Sequence, residues 1–225
     1  MYFQYNAALL YFVAIGGWVL LRVFRSSRER KPYFWRELHL YLFFFYLCYL
    51  FWATLEPFIV PVTPNPSLDS INWVPFRGML GMVSTAQRLQ DETTTRVVLI
   101  NLVGNVLVFI PIGYLAAVLW KPQRALMRDL AMGLGISFGI ELTQFFLAVR
   151  VADVDDLLLN GLGTLLGFGL FHMLHLIPPI RRWYARIAEA ERPKAGLWAA
   201  VYLLLVMGTF AGIYYLQIKT HWGWM

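Results

Sequence analysis

Charge is scarce in this sequence. Asp, Glu, Lys and Arg together make up 14% of its 225 residues, against about 25% in an ordinary soluble domain. Hydrophobic residues reach 59%. That balance excludes intrinsic disorder, a collagen-like repeat and a typical soluble globule. Cysteine is nearly absent. Cys48 stands alone, which excludes an intramolecular disulfide and a disulfide scaffold. Also missing are a phosphate-binding glycine loop, a Ser-His-Asp arrangement and a Cys/His zinc spacing.

What is present is a set of long apolar runs. Residues 1–21, 38–55, 97–120, 157–180 and 195–218 carry no charge, and residues 130–149 carry only Glu141. A spanning helix needs about 20 apolar residues. The pattern predicts an all-α, polytopic membrane bundle of six transmembrane helices, organised as one membrane domain over residues 1–225. The run 38–55 is the shortest, and flanking Trp and Tyr extend it. The first run lacks a basic segment before it and is followed by Arg22, Arg25, Arg28, Arg30 and Lys31. It reads as an uncleaved helix rather than a secretory signal.

The charges supply orientation. Fourteen of the 19 Lys and Arg lie in residues 22–37, 121–129 and 181–194, all on one side of the predicted bundle. Basic loops stay cytoplasmic, so both termini are expected outside. Eight of the 13 acidic residues fall on the other side or in its half of the helices. The formal charge of +6 therefore resolves into a basic inner face that meets anionic membrane lipids, not a nucleic-acid surface. Trp18, Trp35, Trp120, Trp183 and Trp198 fall near the inner boundary, and Trp52, Trp222 and Trp224 near the outer one, as an aromatic belt requires.

The longest outer loop, residues 56–96, holds Pro57, Pro61, Pro64, Pro66 and Pro75, which exclude a continuous helix in its first half. Its apolar stretch 71–83 is too short to span. It is either an interfacial or re-entrant segment, or a loop packed on the outer face. Gly135–Gly139 and Gly163–Gly167 have the small-xxx-small spacing that lets helix backbones approach.

Polar groups inside hydrocarbon are costly and point to function or pairing. They gather near the outer ends of the third, fourth and fifth predicted helices. At about 1.5 Å per residue, Asn101 and Asn105 lie roughly 6 and 12 Å below the outer end, Glu141 roughly 9–12 Å and Asn160 roughly 6 Å. Asn101 and Asn105 share a face, as do Asp156 and Asn160, and Glu141 and Gln144. The turn between the fourth and fifth helices adds Arg150, Asp153, Asp155 and Asp156. One outward-facing polar pocket is the economical expectation.

The stretches from Asn101 to Gly113, from Glu141 to Gln144 and from Arg150 to Gly163, with the loop motif Asn72-Trp-Val-Pro75-Phe76, resemble the VanZ-like family. The resemblance covers roughly residues 38–176 and leaves the helices at 1–21 and 195–218 outside the core. It implies a bacterial multipass protein of the cytoplasmic membrane. It also implies a link to the cell envelope, since the family's founding member is associated with low-level resistance to teicoplanin, a lipid-bearing glycopeptide.

Glu141 and Asp156 are the candidates for acid/base chemistry. Asn101, Asn105, Gln144, Arg150, Asp153, Asp155 and Asn160 are the candidate ligand-binding residues. A structural bond from Glu141 to Asn, Gln or Arg is the competing role. Arg150 suits an anionic group through its planar fork, or pairs with the nearby aspartates. The aspartates lack the spacing of a calcium loop; capping of the fifth helix by Asp155, with Asp156 in the first turn, is expected instead. His172 and His175 share a face at the inner end, too far from the aspartates to join them. No metal or cofactor is implied. The expected partner is an amphiphile: a lipid-linked envelope precursor or a lipoglycopeptide. Enzyme, binding module and structural protein stay open. A transporter would need a polar route inward, which the inner halves of the helices lack.

Overall fold

The structure, a computed structural model, describes residues 2–4, 8–27, 34–55, 59–61, 72–89, 92–120, 125–147 and 153–189. These residues are almost entirely helical. A three-residue strand β1 (Tyr2–Gln4) pairs antiparallel with β2 (Ile59–Pro61). The helices are α1 (Ala8–Ser27), α2 (Phe34–Leu55), α3 (Arg77–Leu89), α4 (Glu92–Leu119), α5 (Ala125–Leu147), α6 (Val154–His175) and α7 (Pro178–Glu189).

Five of the six predicted runs fall on α1, α2, α4, α5 and α6; the run 195–218 lies outside the described residues. α2 reaches 22 residues because Phe34 and Trp35 precede the charge-free run. Phe34–Thr54, Thr95–Leu119 and Val154–His175 are each long and apolar enough to cross a membrane, and Val13–Phe24 is a shorter apolar stretch. The apolar loop segment becomes α3, which begins only after Pro75 and packs on α4.

α4 and α6 form the centre and run parallel. The carbonyls of Val106 and Ile110 on α4 are met in turn by Gly163 and Gly167 on α6, and a Cβ at either glycine would overlap them. A Cβ at Gly113 would likewise overlap the Thr164 carbonyl. Without a hydrophobic drive between helices in lipid, this close approach is the source of packing energy. The spacing therefore locates a contact at Gly163–Gly167. It does not at Gly135–Gly139, where nothing lies within 4 Å of either added Cβ. On α5 the working glycine is Gly133, which abuts the Thr164 side chain.

α5 runs antiparallel to α6, as a short connection demands. α2 closes the core: Leu40, Phe43, Leu47 and Leu50 pack with Phe109, Ile112, Leu115 and Leu119 of α4 and Ile140 of α5. α1 joins through Trp18, stacked on Phe44 at 4.6 Å between centroids. Pro111 lies inside α4 and has no N–H to give the preceding turn. The Tyr46 hydroxyl donates to the nearby Val108 carbonyl at 2.7 Å, a side-chain bond that ties α2 to α4 just before this proline.

The end that the basic loops predict to face inward departs from a simple basic surface. Arg22 is buried and paired with Glu37, its Nε donating to Oε2 at 3.0 Å. Arg36 is buried too, and its Nη1 donates to the carbonyls of Leu119 at 2.7 Å and Ile187 at 3.0 Å. These satisfy backbone groups at the ends of α4 and α7. Residues 178–180, expected to end the fifth apolar run, and 181–189, expected as part of a loop, form the amphipathic α7. Pro178 suits a first helical position, and Tyr184 and Ile187 are buried against Ala117, Val118 and Phe171. His172 is exposed with its Nδ1 on the Phe168 carbonyl at 3.1 Å. Among the described residues there is no cluster of three or more metal-ligating side chains.

Candidate functional site

The site forms where α4, α5 and α6 meet the segment leading into α3. It is assembled around the start of α6. Asp153 takes the extended backbone of an N-cap, φ −126° and ψ 125°, and its Oδ1 accepts the Asp155 N–H at 2.9 Å. The cap is therefore Asp153 and not Asp155. Asp155 is already helical, and its carboxylate is turned away to accept the Phe76 N–H at 2.5 Å. Asp156 sits in the first turn as expected.

Other elements close on this cap. Glu141 of α5 is buried, and its Oε2 accepts the Asp153 N–H at 2.9 Å. Asn72 donates from Nδ2 to Asp153 Oδ1 at 2.9 Å, and its carbonyl accepts the Val154 N–H at 3.2 Å. Asn105 of α4 donates from Nδ2 to Asp156 Oδ1 at 2.5 Å. Glu141, Asp153, Asp155 and Asn72 thus form one hydrogen-bonded group, and the Asn105–Asp156 pair adjoins it in the first turn of α6.

The remaining predicted residues are distributed differently. Gln144 shares a helix face with Glu141 in sequence, yet its Nε2 donates to the Thr54 carbonyl of α2 at 2.9 Å. Asn160 is buried one turn below Asp156 and donates to Ser137 Oγ of α5 at 2.8 Å. Asn101 is exposed, one turn nearer the start of α4 than Asn105. Arg150 lies outside the described residues. Because α4 begins at Glu92 and not near Val97, depth is better read from contacts: Asn105 is level with the first turn of α6.

Two residues were missed by composition-based reasoning. Asn72 belongs to the loop motif but was not assigned to the site. Ser137 stands one turn before Glu141 on α5, and an isolated hydroxyl in an apolar helix was the available signal. Phe76 has φ 64°, the single positive-φ non-glycine among the described residues. That conformation is strained for a bulky side chain; the Asp155 carboxylate on its N–H holds it. Gly78 leaves room beside this corner: an added Cβ would lie 3.1 Å from Asn72 Nδ2 and 3.2 Å from Asp153 Oδ2.

The group is rich in acceptors. Asp155 Oδ2 and Asn160 Oδ1 are buried with no hydrogen-bond partner. A buried acceptor without a donor costs free energy. Apolar side chains stand beside it: Trp73, Val74, Phe76 and Leu80 are exposed, as are Ile100 and Val103 of α4.

Asp153 carries the most bonds here, which makes a direct prediction. Asp153→Ala removes the cap, worth about 1 kcal/mol, and strands the Asn72 amide. A loss of about 2 kcal/mol is expected in thermal or denaturant unfolding. Asp153→Asn, which keeps a capping oxygen, should lose less than half of that. Equal losses would mean that the cap is not what the carboxylate supplies.

Residues 43–175, more than half of the chain, match the family model described as VanZ/LLP1. The matched region contains every residue of the site. No curated protein and no solved structure matches the chain.

Proposed function

The chain belongs to the VanZ/LLP1 family, and on that premise we propose that it is a multipass protein of the bacterial cytoplasmic membrane that binds an amphiphile at its outer end. The ligand is a lipid-linked envelope precursor or a lipoglycopeptide such as teicoplanin. In this reading the chain crosses six times with both termini outside, and Arg150 meets an anionic group of the ligand.

The observation that carries the reading is the acceptor-rich network around the start of α6, beside the exposed Trp73, Val74, Phe76 and Leu80. The polar group of the ligand would supply donors to it, and the acyl part would lie on the apolar rim. Binding is favoured over proton transfer by one feature. Glu141 and Asp156 both hold structural donors, the Asp153 N–H and the Asn105 amide. The same feature supports a second reading, in which the network serves only to fasten α3, α4 and α5 to α6.

The test expresses Glu141→Gln, Arg150→Ala and Asp156→Asn at membrane levels matched to the parent and scores teicoplanin susceptibility. A parent that protects and variants that lose protection support the proposal. Variants that protect like the parent place the ligand elsewhere. A parent without any protective effect removes the link to resistance.

A further inference from the structure

Residues 178–189 read PPIRRWYARIAE. Ile180, Trp183, Tyr184 and Ile187 recur at helical spacing, and Arg181, Arg182 and Arg186 lie off that stripe. In α7 the apolar stripe is already used by the protein. Tyr184 and Ile187 are 3% and 0% exposed. The Tyr184 hydroxyl bonds that of Tyr114 at 2.9 Å, and Arg36 grips the Ile187 carbonyl. The helix is therefore locked onto the bundle, and its other side has a fixed direction.

That other side carries three guanidinium groups. Arg181, Arg182 and Arg186 are exposed. The ion pairs found among the described residues are Arg22–Glu37, Arg96–Glu92 and Arg128–Asp129, so none of the three is paired with a described carboxylate. Their depth is known from their neighbours. One Arg36 guanidinium reaches the ends of both α4 and α7, and Trp183 meets Trp35, at the start of α2, edge to face at 5.6 Å. α7 thus lies level with the inner ends of the apolar helices. Around it, Phe34, Trp35, Leu176 and Ile177 are also exposed.

We propose that α7 is a docking surface for anionic phospholipid of the inner leaflet: Arg181, Arg182 and Arg186 hold phosphodiester headgroups, and Phe34, Trp35, Leu176 and Ile177 meet the acyl chains. Charge complementarity selects the headgroup, because the planar fork of arginine suits phosphate oxygens. The apolar girdle selects a lipid over a soluble polyanion, which would leave Phe34 and Leu176 in water. Burial of Arg22 and Arg36 sharpens the assignment, since those cations are spent on protein contacts. The surface is at the opposite end from the α6 cap, so it stands or falls independently of the proposed amphiphile site.

The experiment titrates the full chain, purified in a non-ionic detergent, with phosphatidylglycerol or phosphatidylcholine, and counts bound lipid by native mass spectrometry. The parent should retain phosphatidylglycerol in preference to phosphatidylcholine. The triple variant R181Q/R182Q/R186Q should weaken phosphatidylglycerol binding roughly 30- to 100-fold with its lipid-free unfolding temperature unchanged. The triple lysine variant should retain most of the binding. High salt should release the lipid from the parent, a measurement that decides the matter if the glutamine variant aggregates. Equal retention by parent and glutamine variant, equal retention of the two lipids by the parent, or inorganic polyphosphate binding as tightly as phosphatidylglycerol would each overturn the proposal.

Discussion

Gly167→Val should leave little folded protein in the membrane. The added side chain would have to occupy the space of the Ile110 carbonyl and the Tyr114 N–H on α4. Both are backbone groups of a continuous helix, so no rotamer change relieves the overlap. Overpacking a well-packed core costs about 1–3 kcal/mol when side chains can shift; here α4 and α6 must separate, and a loss of at least about 3 kcal/mol is expected. Gly163→Val, facing the Val106 carbonyl and Phe109, should behave alike. The contrast is internal: Gly135→Ala and Gly139→Ala add a methyl where nothing lies within 4 Å and should be close to neutral. Size-exclusion profiles and thermal unfolding of fluorescently tagged variants in detergent measure both arms. A stable, monodisperse Gly167→Val protein would refute the tight α4–α6 contact.

Glu37→Leu should be nearly as damaging, for a different reason. It leaves Arg22 buried without its carboxylate. The two side chains are 7% and 15% exposed, so water offers little compensation. Removing one member of a buried pair costs about 3–5 kcal/mol, whereas replacing both by apolar groups of similar volume is often neutral. The expected result is a loss of about 3 kcal/mol for Glu37→Leu and recovery of most of it in Arg22→Met/Glu37→Leu. Unfolding of the two variants beside the parent decides it. A double variant as unstable as the single one would show that the pair does more than neutralise itself.

The α1–α2 pair also shows where reading residues in order fails. Arg22 and Arg36 count toward the basic side in the linear sequence, and they lie at the end of the bundle that carries α7. Their burial depends on Glu37 and on the carbonyls of Leu119 and Ile187. Two of these partners are 83 and 151 residues away from Arg36. No local pattern reports such partners. α7, read as a basic loop over 181–194, did carry a local signal: its apolar residues recur at helical spacing among the arginines.

In the candidate site, residue types were legible and assignments were not. Periodicity placed Asp156 with Asn160 and Glu141 with Gln144. The structure sends each member of a pair to a different helix: Asp156 to α4, Asn160 to α5, Glu141 to the α6 cap and Gln144 to α2. Residues three or four apart on a helix share a broad face, and that face can contact two neighbours at once. Likewise the sequence pointed to Asp155 as the cap of α6. The choice fell to Asp153 because the Phe76 N–H engages Asp155.

By itself the sequence determined the solvent, the element type and the family. Scarce charge and runs of about 20 apolar residues leave a membrane as the only medium that suits the chain, and backbone hydrogen bonding in that medium leaves helices as its form. The tertiary structure alone decided which of two equivalent glycine pairs carries the packing, which aspartate caps α6 and which arginines at the α7 end are exposed. Each of those depends on a backbone or carboxylate brought in from another helix. Identical local spacing acquires different roles only once a neighbour stands within a few ångströms.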